Sequence, residues 1–179
     1  MMMVSIGIGI ALAVALIAVV SVLTGAKVSD NHVVLPKTEL VGKHVQDFTL
    51  DGLGGGTEGA PWTHGRASVL VFFASWCVPC RGEIPRVATW VRTHDTGPVE
   101  VLGIDANDER AAAQAFVRKD GVTFPVAFDA DGTVTSSVFG FAQLPETVFI
   151  SAKGVVTGVH FGAISNAELA RGVKALRSA

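Results

Sequence analysis

Beyond Cys77 and Cys80 the 179-residue chain has no cysteine, and its five histidines stand apart without ligand spacing. A structural zinc site needs four ligands, usually two short pairs of Cys or His, so that class is excluded. Covalent haem attachment needs histidine directly after the second cysteine, and that position is Arg81. A surplus of positive charge is also missing: the net charge is −2, which points away from a nucleic-acid partner. No internal repeat is visible. The most telling absence is positional, because none of the 14 Lys+Arg or 16 Asp+Glu precedes Lys27.

The charge-free start, MMMVSIGIGIALAVALIAVVSVLTGA, therefore stands apart. From Val4 to Leu23 only Ser5 and Ser21 interrupt Val, Ile, Leu, Ala and Gly. At about 1.5 Å per residue such a run spans the roughly 30 Å hydrocarbon core of a bilayer as a helix. A cleaved signal peptide is the competing reading. Against it, the first residues carry no Lys or Arg and no clean Ala-x-Ala site follows, although VLTGA at 22–26 is small. The expectation is one transmembrane anchor over 1–26 and a polar tether over 27–43. Lys27, the one nearby basic residue, leaves orientation to be argued from the cysteines.

The remainder alternates strands and helices. VQDFTL (45–50) reads as a strand entering a turn at Asp51-Gly52, and the Gly-rich 53–66 as a loop that Trp62 anchors. The unbroken apolar run 67–74 suits a buried central strand. A helix follows over 77–94, with Ile84, Val87, Ala88 and Val91 on one stripe. Further strands are expected at 99–105 and 123–128, with helices at 109–119 and 133–140. A hairpin is expected from 145–150 and 155–161. The terminal helix opens on a capping box, Ser165 to Glu168. The pattern implies one α/β domain, 44–179, with a mixed sheet and helices on both faces.

Two thiols separated by Val78-Pro79 could form an inert staple or a redox pair. A four-residue loop removes little chain entropy, so a staple would stabilise little. The redox reading uses the context better. Cys77 falls where a buried strand gives way to a helix, whose free N–H groups favour a thiolate. Pro79 occupies the first turn at little cost, and Cys80 can attack a mixed disulfide formed at Cys77. Trp76 flanks the nucleophile or is simply core, and Pro85 would kink the helix beyond the active turn.

WCVPC (76–80) between a buried strand and a Pro-containing helix resembles the thioredoxin fold, and LPET (144–147) before an apolar strand resembles its other hallmark. The resemblance implies that Pro145 is cis and lies beside the cysteines, leaving the Leu144 backbone to pair with a substrate strand. The N-terminal anchor, Asp47-Phe48 leading into Leu50-Asp51-Gly52, and W-C-x-P-C-R-x-E-x-P are similar to the ResA/TlpA/CcmG group. That group also carries an extra strand–helix unit, matched by Val99 to Phe128, and the similarity runs from about residue 44 to the C-terminus.

The group's members are membrane-tethered, extracytoplasmic thiol–disulfide oxidoreductases, many serving cytochrome c maturation. By resemblance, Cys77 is the nucleophile and Cys80 the resolving thiol, with no cofactor beyond the redox-active Cys77–Cys80 disulfide. Trp76, Pro79, Leu144, Pro145 and Glu146 would meet substrate. The partners implied are a disulfide-bearing protein such as an apocytochrome c and a membrane-embedded thiol donor.

One departure is Val71, which stands where cytosolic-type thioredoxins carry a buried Asp, so a proton acceptor for Cys80 is missing there. Glu83, matching an acidic position of the ResA-like group, is the nearest substitute; otherwise it is a solvated partner of Arg86 or Arg81. Glu146 matches an acidic position of CcmG-like members; otherwise it is a surface charge. Val-Pro lacks the histidine of strongly oxidising pairs, which favours a reductant. A non-catalytic thioredoxin-like binding module, and a general thiol–disulfide exchange protein or peroxiredoxin-like antioxidant, are the alternatives, although peroxiredoxins use a lone cysteine in a different context.

Overall fold

Six consecutive apolar or small residues, Ser68–Phe73, form the central strand β3 of the computed structural model, which describes residues 39–140 and 143–178. Every side chain of β3 is buried, as expected of a strand covered on both faces. The anchor expected over 1–26 lies outside the described residues. Among the described residues no helix is long and apolar enough to cross a membrane.

The other elements are β1 (Thr49–Gly52), β2 (Thr57–Gly59), a 3-10 turn (Pro61–His64), α1 (Cys80–Thr93), β4 (Glu100–Ala106) and α2 (Arg110–Lys119). They continue with β5 (Val126–Asp129), α3 (Thr133–Phe139), β6 (Glu146–Ile150), β7 (Val156–Phe161) and α4 (Asn166–Arg177). One seven-stranded sheet has the order β2-β1-β5-β4-β3-β6-β7. β3, β4 and β5 run parallel; β6 is antiparallel to β3, and β1 to β5. The thioredoxin-like α/β expectation therefore holds for the described chain.

Strand alternation divides the apolar residues between two cores. Val69, Val71 and Phe73 face Ile84 and Val87 of α1, Phe116 of α2 and Leu169 and Val173 of α4. Leu70 and Phe72 face Trp62, Phe139, Val148 and Ile150. Full burial of one such side chain stabilises by about 1.5–3 kcal/mol. α4 packs especially close: a Cβ on Gly172 would lie 2.0 Å from Phe149 Cε1. Its capping box is present as expected, with the Ser165 hydroxyl accepting from the Glu168 N–H.

Several boundaries differ from the sequence expectation. The segment 53–66 is not all loop, since β2 pairs with β1 and Trp62 seats in the core with Nε1 donating to Asp47 Oδ1 at 2.8 Å. Periodicity cannot reveal a three-residue edge strand. Asp51-Gly52 belongs to β1 rather than to a turn, because both residues pair with β5. The third parallel strand starts at Val126, after Pro125, whose nitrogen has no proton to give a ladder. At the start of β7, Gly42 N–H donates to Val156 O and Val156 N–H to Lys43 O, so the chain pairs with the sheet before residue 44.

Candidate active site

The loop leaving β3 carries both sulfurs. Cys77 N–H donates to Ala74 O at 3.2 Å, closing a turn that keeps Cys77 to Pro79 out of the helix. Helix α1 therefore begins at Cys80 with Pro79 as its N-cap, three residues later than periodicity suggests. Cys77 and Cys80 are joined in a disulfide, and Cys80 N–H, at the helix start, points at Cys77 Sγ at 3.2 Å. In the dithiol state that N–H and the positive end of α1 favour a thiolate on Cys77. Cys77 is 4 % exposed and Cys80 not at all, so an incoming disulfide reaches Cys77 first.

Two hydrogen-bonding residues at the C-terminal end of β4 hold this loop from the side. Asp108 accepts from the Ser75 N–H and, at 3.0 Å, from the Ser75 hydroxyl. Asn107 sits in the left-handed region at φ 52°, which Asn tolerates better than most residues, and its carbonyl accepts from Trp76 Nε1 at 2.8 Å. Trp76 is thus not core: its indole is pinned at one end and 53 % exposed. Asn107 and Asp108 were missed by sequence reasoning. Their signal was a polar pair just past the end of a buried parallel strand, where such sheets place their functional groups.

The Leu144–Pro145 bond is cis, as the resemblance implies. Leu144 and Gln143 form one wall of an open groove of about 710 Å³ beside the disulfide. Trp76, Cys77, Val78 and Pro79 line it as well, together with Asn107, Asp131, Thr135 and Ser136. Val78 is 73 % exposed, so an apolar rim surrounds the reachable sulfur. The structure thus brings Trp76, Cys77, Pro79 and Leu144 to one groove, with Pro145 and Glu146 next in the chain.

Three buried carboxyls lie on the elements that build the site. Glu83 is neither solvated nor paired at the surface: it is fully buried on α1, and its Oε1 accepts the Ile164 N–H at 2.8 Å. Burial pushes its pKa up to about 7, against the lowering effects of that N–H and of the Arg86 guanidinium. Glu146 is likewise not a surface charge. It opens β6 opposite Phe72, is buried, and burial raises it to about 7. Asp105 pairs with Phe73 in the β3–β4 ladder, and burial, with the nearby Asp108 charge, raises it to about 8. Val71 is buried and apolar, yet α1 carries a buried carboxyl, Glu83, one turn beyond Cys80. Asp105 was the carboxyl that sequence reasoning passed over.

Chemically, one accessible sulfur and one shielded sulfur, a helix N-terminus and protonatable buried carboxyls can run thiol–disulfide exchange. Among the described residues no group of three or more His, Cys, Asp or Glu could hold a metal.

Residues 41–159 match the model of the AhpC/TSA family. A curated relative, the thiol-disulfide oxidoreductase ResA of Halalkalibacterium halodurans, is 26% identical over 151 residues, covering 84% of this chain and 85% of that one. Among solved structures, that of MTB dsbF in its mixed oxidized and reduced forms is 35% identical, with TM-score 0.64 over 72% of this chain and 94% of that one. A secreted Mycobacterium tuberculosis disulfide oxidoreductase homologous to E. coli DsbE is 30% identical, with TM-score 0.63 over 72% and 96%.

Proposed function

Because the chain belongs to the AhpC/TSA family and is a thiol–disulfide oxidoreductase of the ResA and DsbE type, we propose that it reduces protein disulfides outside the cytoplasm through Cys77 and Cys80. The observation that carries this reading is the asymmetry of the pair: a disulfide at a helix start whose first sulfur opens on an apolar groove while the second is sealed.

In the proposed reaction the Cys77 thiolate attacks one sulfur of a substrate disulfide and expels the other as a thiolate. Cys80, losing its proton to Glu83, then attacks Cys77 Sγ and releases the second substrate thiol. Two electrons pass to the substrate, and Cys77–Cys80 is left as the disulfide. Trp76, Pro79, Leu144 and Pro145 would seat the substrate chain. Glu146, buried directly after the cis bond, would support that wall from behind rather than touch substrate. The extracytoplasmic assignment is supported by the charge-free 26-residue start and by the secreted mycobacterial relative. In such a compartment thiols need a dedicated electron supply, so a membrane-embedded thiol donor is the partner proposed upstream. A protein CxxC disulfide, such as that of an apocytochrome c, is proposed downstream.

The test is trapping in cells. Cys80→Ser is expected to accumulate a mixed disulfide with substrate and Cys77→Ser none. Equal trapping by both variants, or by neither, refutes the assigned roles, and mass spectrometry of the adduct names the substrate.

A further inference from the structure

Glu83 and Arg86 lie three residues apart on α1, on one face of the helix, and both reach the same residue of the β7–α4 loop. Glu83 Oε1 accepts the Ile164 N–H at 2.8 Å. Arg86 Nη2 donates to the Ile164 carbonyl at 2.7 Å, and Nη1 to Gly82 O at 3.3 Å. Ile164 is itself sealed in the core beside Leu169 and Val173, so this residue cannot drift unless α4 moves too. Glu83 Oε2 is buried and takes no hydrogen bond from the described residues, which leaves one carboxyl oxygen of a fixed group available for a proton.

We infer that Arg86 is a positioning residue for thiol–disulfide exchange: it grips the Ile164 carbonyl so that the same residue's N–H holds Glu83, and it supplies a positive charge within electrostatic reach of the Glu83 carboxyl. The inference rests on the proposed use of Glu83 as the proton acceptor for Cys80. Burial alone would hold the Glu83 pKa higher still. A nearby cation and a fixed N–H bring it back into the range where a carboxyl both takes and returns a proton at neutral pH. The other charges packed nearby do not replace Arg86. On α1, Cys80 is in the disulfide; from the β7–α4 loop only the Ile164 N–H reaches the carboxyl; on β7 and α4, His160 and Glu168 pair with each other at 3.7 Å. Buried Glu146 on β6 is raised by its own burial and does not enter the balance at Glu83.

The experiment compares full-length wild type, Arg86→Lys, Arg86→Met, Arg86→Gln and Glu83→Gln. Two readouts are taken across pH 5–9: the carbon-13 NMR titration of the Glu83 carboxyl in the oxidised protein, and the rate at which reduced protein is oxidised by oxidised glutathione. Arg86→Met is expected to move the Glu83 midpoint up by about half to one pH unit, and the Glu83-dependent limb of the rate profile with it. Arg86→Lys, which keeps the charge, should hold the midpoint near wild type. Arg86→Gln, which keeps a donor for Ile164 and loses the charge, should shift as Met does, and it serves if Met fails to fold. A Glu83 midpoint unmoved in both neutral variants overturns the inference, whatever happens to stability. If the midpoint moves but Glu83→Gln shows the wild-type rate profile, Glu83 is not the proton acceptor. In that case the role of Arg86 in exchange falls with it, while the Cys80→Ser trapping result still decides the cysteine roles separately.

Discussion

Glu83 makes stability depend on pH in a direction opposite to that of a salt-bridged carboxylate, and the size follows from its burial. Its pKa is about 7 in the folded protein against 4.5 for the exposed group. Between those values the folded state binds more protons than the unfolded one, so stability falls as pH rises. The contribution is fully present below pH 4.5 and is lost through pH 7. At about 1.36 kcal/mol per pH unit, the rise from 4.5 to about 7 corresponds to about 3 kcal/mol. Glu83→Gln keeps an oxygen for the Ile164 N–H and cannot ionise. It should therefore be near wild type, or about 1 kcal/mol less stable, at pH 4.5, where its amide N–H is the poorer fit. By pH 8 it should have gained about 3 kcal/mol on wild type. Urea unfolding of the oxidised protein at half-unit steps from pH 4.5 to 8.5, followed by tryptophan fluorescence, measures the difference while keeping the thiols out of the titration. Glu146 and Asp105 tilt the wild-type curve the same way, so the quantity to read is the gap between variant and wild type. A gap that stays constant across the range would refute the reasoning, because it would mean that Glu83 ionises alike in both states.

Three further outcomes are expected. The reduction potential should lie below about −150 mV, on the reducing side of the strong oxidants; equilibration with glutathione or dithiothreitol measures it, and a value at or above that mark rejects the reductant assignment. Asp108→Ala strips the acceptor from Ser75 N–H and hydroxyl; it should cost about 1–3 kcal/mol and slow exchange, and an unaltered urea midpoint and rate would show that the loop holds itself. Gly172→Ala gains helix propensity of about 1 kcal/mol, yet its Cβ meets Phe149 at 2.0 Å. Overpacking of that kind costs about 1–3 kcal/mol, so the melting temperature should fall, and a rise would show that the Phe149 ring swings away freely.

Much of this architecture is legible in one dimension because it depends on local pattern. An apolar run with β-branched and aromatic residues at 68–73 suits a doubly covered strand, and that is what forms. Ser165 and Glu168 cap a helix whatever lies around them. The CVPC spacing permits a disulfide before any fold is known, and the resemblance carried by the WCVPC and LPET stretches extends to the cis Leu144–Pro145 bond. Local pattern misleads where a short segment borrows its conformation from a distant partner. Thr57–Gly59 is a strand only because β1 lies alongside it, and the turn at Cys77–Pro79 delays a helix that periodicity would start earlier.

What the sequence determined by itself is therefore the reactive group and its local setting: two cysteines between a buried strand and a helix, and a charge-free stretch of 26 residues ahead of them, with the place of Pro145 implied by the resemblance. What only the tertiary structure decided is the protonation of the acids around that group. In sequence Glu83 and Glu146 stay divided between site acid, by resemblance, and ordinary surface charge, because their environment is absent from their own neighbourhood in sequence. Glu83 is sealed and held by an N–H 81 residues away, and Trp76 is pinned by a carbonyl 31 residues away. Desolvation is a property of everything packed around a group at once, and so it comes into existence only when the sheet, α1 and the β7–α4 loop close over it.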